Sequence, residues 1–439
     1  MVWAASGVGA ERPNILWLTC EDTGPQLGCY GDRYATTPNL DALAGRGLRF
    51  RRAWATVPVC APARTAIISG MYPSATGAEH MRSLVRMPSG TRMFPELLRE
   101  AGYYCSNNSK EDYNFIKPGA VWDESSSRAH WRNRAPGQPF FAVFNYTETH
   151  ESQVRARPHR FVHDPALAPV PPYMPDLPEV REGWAQYHDR VTAVDTRVGR
   201  ALRELEEAGL AEDTIVFFYG DHGPGLPRGK RSACDSGLRV PLICHFPERW
   251  RHLAPPDYVP GGESGRLVGF VDLGPTVLSL AGIRPPAWMH GQAFAGLHRA
   301  AAPRFLFGSR SRMDERYDLV RSVTDGRFVY VRNFMPHRPH GQHVAYMFET
   351  PATVAWERMF REGRLEAVQR VFWEPKEVEE LYDLEADPHE MANLASSPAH
   401  RAKVEELRRA LRRHAVALGD VGMLSEPEML AGAFGGAPG

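Results

Sequence analysis

Thr214-Ile215-Val216-Phe217-Phe218-Tyr219-Gly220-Asp221-His222-Gly223 is an apolar run that stops abruptly at an acid and an imidazole. Apolar side chains at consecutive rather than alternate positions belong to a strand covered on both faces, the condition met inside a parallel sheet. Three other stretches share this form. Asn14-Ile15-Leu16-Trp17-Leu18-Thr19 runs into Cys20-Glu21-Asp22-Thr23-Gly24, and Phe140-Phe141-Ala142-Val143-Phe144-Asn145 runs into Tyr146-Thr147-Glu148-Thr149-His150. Tyr103-Tyr104-Cys105 leads to Asn107-Asn108-Ser109-Lys110. Helices fall between them. Thr37-Pro38 opens one through Leu40, Leu43 and Ala44, and Phe94 to Ala101 reads as a second. Tyr187, Val191, Val194, Val198, Leu202 and Leu205 recur at helical spacing before Gly209. Val240-Pro241-Leu242-Ile243-Cys244 reads as a further strand, and Asp272 to Leu278 as the start of a further helix. Strands alternating with helices predict an α/β fold, a mostly parallel, mixed central sheet sandwiched by helices.

The texture changes near Pro303. Leu319-Val320-Arg321-Ser322-Val323 and Phe328-Val329-Tyr330-Val331 flank Asp325-Gly326, a strong turn signal, and predict an antiparallel hairpin. A helix follows near Val404, Leu407 and Leu411. The expected division is an α/β unit over 11–302 and a smaller C-terminal α+β subdomain with an antiparallel sheet over 303–425, with loose ends at 1–10 and 426–439. The proline-rich stretch from His159 to Pro178 reads as a long surface loop and a candidate wall facing a substrate.

Over 439 residues, Lys+Arg and Asp+Glu both count 52, so charge gives no ground for a nucleic-acid or anionic-membrane partner. No apolar run approaches the roughly 20 residues of a membrane span. Cys20, Cys29, Cys60, Cys105, Cys234 and Cys244 show neither zinc-ligand spacing nor the density of a disulfide scaffold. Residues 1–10 lack the basic start and full apolar stretch of an intact export signal. A periplasmic or extracellular location is favoured over a cytoplasmic one.

The chemistry gathers where the strands end. Ligands in open α/β sheets bind outside the carboxyl ends of strands, and here those ends carry Glu21-Asp22, Lys110, His150 and Asp221-His222. Brought together, Glu21, Asp22 and Asp221 would repel one another without a cation among them. Oxygen ligands suit a hard divalent ion, Ca²⁺ first and Mg²⁺ second. Val59-Cys60-Ala61-Pro62-Ala63-Arg64-Thr65-Ala66-Ile67-Ile68-Ser69-Gly70 adds a helix with Pro62 in its first turn and Gly70 just past its end. Cys60 then sits at the helix entrance, where backbone N–H groups, the helix dipole and Arg64 all favour an anion.

The spacing Cys60-Ala61-Pro62-Ala63-Arg64 resembles the signature of the formylglycine-dependent sulfatases of the alkaline phosphatase superfamily. The resemblance extends over Arg12 to Gly77, Lys110, His150, Thr214 to Ala281 with Gly229-Lys230, and Leu381-Tyr382-Asp383-Leu384. Phe307-Gly308-Ser309 through Arg332-Asn333-Phe334 looks closest to the heparan N-sulfatase, sulfamidase-like branch. It implies hydrolysis of sulfate esters or sulfamates of a sulfated carbohydrate, after a maturation enzyme has oxidised Cys60 to formylglycine. In that scheme one oxygen of the hydrated aldehyde, held on the metal, attacks sulfur and expels the alcohol or amine, and the second hydroxyl lets the ester collapse. Glu21, Asp22, Asp221 and His222 would hold the metal beside Cys60. Arg64, Lys110 and Lys230 would neutralise the sulfuryl oxygens, and His150 would protonate the leaving group or bind a sulfate oxygen.

Two positions depart from the family pattern: Glu21 stands where an Asp is usual, and Asp112 where many members carry a histidine, for which His80 is a candidate substitute. Three other readings compete. A phosphate or phosphonate esterase of the same superfamily suits Asp221-His222-Gly223, although no Asp-Xaa-Xaa-Xaa-His spacing for a second metal is present. A Cys60–His150 hydrolase dyad leaves the carboxylates unexplained, and a non-catalytic sulfated-glycan binder leaves the retained Cys60 unexplained. Specificity is expected from the proline-rich loop, Phe334 to His343 and the C-terminal unit; the oligomeric state is left open.

Overall fold

In the computed structural model, residues 11–117 and 119–433 are described; the expected loose start at 1–10 lies outside them. Nine strands form one sheet: β1 (Asn14–Cys20), β2 (Leu48–Trp54), β3 (Tyr104–Asn108), β4 (Glu124–Ser125), β5 (Phe140–Tyr146), β6 (Thr214–Gly220), β7 (Arg239–Val240), β8 (Leu242–His245) and β9 (Glu263–Gly269). Their order is β4-β3-β5-β1-β6-β8-β2-β7, with β9 on β2. β1 lies inside the sheet, parallel to β5 and β6, and all its residues are buried. Side chains alternate between its two faces. Ile15 and Trp17 join Phe141, Phe217 and Tyr219 beneath helices that include Cys60–Ser69, Phe94–Glu100 and Leu273–Leu280. Leu16 and Leu18 join Val216 and Phe218 against the long helix Pro178–Glu207 and the helix Pro38–Arg46. The sheet is therefore sandwiched by helices, as the apolar runs predict.

Its far side differs from expectation in detail. The stretch Val240 to Cys244 is broken at Pro241 into β7 and β8, and both pair antiparallel, β7 with β2 and β8 with β2 and β6. Proline has no N–H to give a ladder, which accounts for the break. β2 and β9 carry no strand signal strong enough to predict. Arg49, Arg51 and Arg52 interrupt the first, and Glu263, Gly265 and Arg266 the second.

A second sheet is antiparallel: β10 (Leu306–Arg310), β11 (Val320–Thr324), β12 (Phe328–Asn333) and β13 (Glu379–Asp383), in that order. The predicted hairpin is β11–β12, and the helix Arg401–Leu418 packs Val404, Leu407 and Leu411 on Val323, Tyr330 and Leu381. One expectation fails. Residues 426–433, taken as part of a loose end, form the helix Glu426–Ala433, because Met429 is buried and Glu426 is paired in both oxygens with Arg312 at 2.7 Å.

The two sheets are tied by charge as well as packing. Arg321 of β11 is buried between Glu79, at 2.9 Å, and Asp420, at 2.7 and 2.8 Å. Burial pushes the Glu79 carboxyl up and Arg321 opposes it. Removing the cation leaves a buried acid without its counter-charge, so Arg321→Ala is expected to cost about 3–5 kcal/mol of stability. Urea unfolding followed by circular dichroism measures this, and a loss below about 1 kcal/mol would show that the ion pair is not what ties the sheets.

Candidate active site

Because β3, β5, β1 and β6 are parallel neighbours, their carboxyl ends open on one edge of the sheet. That edge receives Glu21 and Asp22 after β1, Lys110 after β3, Asn145 near the end of β5 with His150 and Glu151 beyond it, and Asp221 and His222 after β6. Cys20 stands opposite Tyr146 and Gly220, and hydrogen bonds run one residue further into the site. Asp221 N–H donates to Cys20 C=O at 2.9 Å and Glu21 N–H to Tyr146 C=O at 3.0 Å. Only glycine fits at 220, where a Cβ would come within 2.1 Å of the Thr23 carbonyl oxygen. The helix Cys60–Ser69 is buried along its whole length and ends at Gly70 with φ of 68°, a left-handed cap. Its first residue is Cys60, delivered to the same edge.

The Cys60 sulfur lies 3.3 Å from His222 Nε2 and 3.7 Å from Asp22 Oδ1. His222 Nε2 is 3.1 Å from Asp22 Oδ1 and 3.6 Å from Asp221 Oδ1. Lys230 Nζ donates to both Asp22 oxygens, at 3.0 and 2.9 Å. Arg64 contacts Asp221 Oδ2 through Nε at 3.2 Å and Nη2 at 3.0 Å, and its Nη1 donates to Asn145 Oδ1 at 2.7 Å. Lys110 is paired with Glu21 and lies 3.3 Å from Asp112. Thus segments distant in sequence meet around one sulfur atom. Two groups share it: Asp22, Cys60 and His222, and Glu21, Cys60 and His150, each with its donor atoms within 4.8 Å of one another.

Burial by itself would raise the Asp22 carboxyl, but Lys230 and His222 outweigh it and hold the group well below the ordinary range. Burial would lower His222, yet Asp221 and Asp22 raise it well above. Burial pushes the Cys60 thiol up and Lys230 opposes it only in part, so this cysteine is not a ready thiolate. That weakens the Cys60–His150 dyad. Burial also lowers His150, whose Nδ1 is engaged with Ser152 Oγ at 2.9 Å.

The donor set fits a hard cation. His222 Nδ1 faces the Gly223 carbonyl oxygen at 2.9 Å and donates there, and Nε2, turned to two carboxylate oxygens, donates to them while the imidazole is protonated and is the nitrogen free to ligate once that proton is displaced. Two buried carboxylates and one imidazole nitrogen converging from separate loops are a donor set that suits a divalent ion, which would take the place of the imidazole proton. Glu21 is placed differently from the other three, on Lys110 and with His150. Asp112 is held by Lys110 and Arg82, and His80 accepts from Arg312 N–H at 3.1 Å, so His80 is committed elsewhere.

Three participants were not predicted. Asn145 orients Arg64; it sits at the end of a strand already assigned to the rim. Glu151 is buried between Arg231, at 2.9 Å, and Lys230, at 3.4 Å, and its N–H donates to Asp22 Oδ2 at 2.7 Å. Arg231 also reaches Asp314 at 3.3 Å. Glu151 and Arg231 each adjoin a predicted residue in sequence, which is the only signal they carry.

The sequence pattern of the Sulfatase family matches residues 13–123 and 104–283. The chain belongs to the sulfatase family. This sulfatase, a sulfuric ester hydrolase, is 38% identical over 469 residues to an ulvan-active sulfatase of Formosa agariphila, covering 96% of this chain and 77% of that protein. It is 27% identical over 482 residues to the N-sulphoglucosamine sulphohydrolase of Homo sapiens, covering 93% and 91%. A solved structure of a 2-O GAG sulfatase superposes with a TM-score of 0.70 at 20% identity, over 94% of this chain and 93% of that one. No helix among the described residues is long and apolar enough to cross a membrane. The six cysteines are free, none of them in a disulfide.

Glu151 balances Lys230, Arg231 and, at 3.8 Å, Arg155 beside the site, and Glu151→Gln keeps its shape while removing that charge. Turnover of a chromogenic aryl sulfate is expected to fall on the order of 10–100-fold with the melting temperature little changed. Unaltered turnover would show that Glu151 serves packing alone.

Proposed function

We propose that this sulfatase removes sulfate, as esters or sulfamates, from a sulfated polysaccharide, using a formylglycine made from Cys60 and a divalent cation. Ca²⁺ is preferred and Mg²⁺ comes second, held by Asp22, Asp221 and His222 with Glu21 at the edge of the site. The observation that carries this reading is the Cys60 sulfur at a helix N-terminus, 3.3 Å from His222 Nε2 and 3.7 Å from Asp22 Oδ1, with Arg64 and Lys230 buried around it. When bound, the ion supplies Lewis acidity to the nucleophile, and the hydrated aldehyde supplies an oxygen nucleophile that a raised thiol cannot match.

The chain's own residues do the rest. Arg64, Lys110 and Lys230 offer fixed positive charge in a nearly dry pocket, where donors aimed at developing negative charge are worth most. Lys110 and His150 are only half buried and form its mouth. His150 Nε2 is left to face the leaving group, because Nδ1 is engaged with Ser152. Asn145 and Glu151 fix the arginine and lysine heads and so limit the motion that a flexible cation would need before reaction.

The names of the relatives support a carbohydrate substrate, one acting on ulvan and one on N-sulphoglucosamine. A polymeric substrate fits export to the periplasm or beyond. The experiment that tests the function is a sulfate-release screen over O-sulfated and N-sulfated sugars, with phosphate and phosphonate esters as controls. Release from a sulfated sugar, lost after exhaustive chelation and regained with Ca²⁺, is the expected outcome; turnover of the phosphorus esters alone would replace this reading.

Modification of Cys60 has its own readout. Co-expression with a maturation enzyme is expected to make the Cys60 peptide roughly 18 Da lighter, the change from a thiol carbon to an aldehyde. Activity should track the modified fraction. Full activity with an intact thiol would end the formylglycine assignment.

A further inference from the structure

The helix Arg401–Leu418 buries one face on the second sheet and leaves the next uncovered. Between it and the end of β12 runs an open groove of about 630 Å³ that shares no residue with the Cys60 site. Phe334, Val416 and Met423 line it with 41%, 75% and 46% of their surfaces exposed. Arg332 stands 5.5 Å over the Phe334 ring and approaches Glu379 only at 3.9 Å. Arg412 is exposed on the helix side of the groove, and its side chain has no hydrogen bond or ion pair among the described residues. The two acids of the groove are already matched: Glu379 by Arg408 at 2.7 Å through both oxygens, and Asp420 by Arg321. Two guanidinium groups therefore retain free donors, one on either side of an apolar floor.

We propose that this groove is a second carbohydrate site, which holds a sulfated stretch of the polymer while another stretch is desulfated. The inference rests on the sulfated-polysaccharide reading above. A guanidinium fork matches a pair of sulfate oxygens, and an exposed aromatic face suits the C–H face of a sugar ring. A sulfated glycan carries its charges apart, separated by ring faces, and here Arg332 on β12 and Arg412 on the helix Arg401–Leu418 line one groove from different elements together with Phe334 and Val416. A nucleic acid needs an unbroken stripe of free cations, whereas Arg408 and Arg321 are here spent on Glu379 and Asp420. Holding the polymer raises its effective concentration at the catalytic pocket, an advantage that a free monosaccharide does not share.

The test uses the full-length protein as Cys60→Ala for binding and as the matured enzyme for turnover. The binding probe is a fluorescein-labelled, fully sulfated heparin tetrasaccharide, compared with its desulfated form and a single-stranded DNA 12-mer. With R332Q/R412Q, or with R412E alone, one of two binding equivalents is expected to disappear. In the matured enzyme kcat/KM on polysaccharide should fall at least about tenfold, with little change on a monosaccharide sulfate. Binding and turnover indifferent to both variants overturn the proposal, as does DNA binding that is equal in strength and equally lost. A dimer that dissociates in R332Q/R412Q would make a second copy the occupant and also overturn it. Tetrasaccharide binding that depends on Arg412 in a protein that releases no sulfate would leave the groove standing and remove the catalytic reading instead.

Discussion

Asp22 is a fully buried negative charge, and the surroundings of the site are arranged to keep it one. It takes two bonds from Lys230 and one from the Glu151 N–H, and it faces His222. Each partner comes from a different part of the chain. An ionised carboxylate in a dry interior is stable only while such partners hold. The loop after β1, the loop after β5, the loop after β6 and the lysine segment are therefore locked to one another by a single side chain. Cys60 approaches this knot from the first turn of a buried helix, so its sulfur sits against His222 and Asp22 and inherits a position that the network and the packed helix set together.

The parallel register makes the knot possible. If β1 ran antiparallel to β6, Glu21 and Asp22 would leave the sheet at the edge opposite Asp221 and His222. The second sheet contributes stability and flanking surface, and Arg231 carries the ionic network outward from Lys230 through Glu151 to Asp314 at the rim of the pocket. Asp314, in the segment between β10 and β11, is thus linked to Lys230 through short contacts.

The fold was legible wherever burial was two-sided. The runs at β1, β5 and β6 are apolar at nearly every position, and that pattern has one structural meaning. β2 and β9 were not legible, because arginines on one face erase the contrast between strand and loop. The helix Glu426–Ala433 was hidden for another reason: its order comes from Arg312, more than a hundred positions away, and no local pattern reports a distant ion pair. The principal site residues were readable as charged residues following apolar strands. Glu151 and Asn145 were not, since an acid or amide beside a reactive residue looks the same whether it points inward or to solvent. The separation of Glu21 from Asp22, adjacent in sequence yet in different groups of donors, follows from the left-handed backbone at Asp22, with φ of 44°.

Gly220 sets a limit on how such a site can diversify. The Thr23 carbonyl occupies the space of any side chain there, so the gap between the two central strand ends is a fixed dimension that no graded substitution can widen. A lineage adapting this scaffold to another sulfated sugar can redecorate the loops that frame the opening. It cannot alter the spacing at the bottom without first taking the sheet apart.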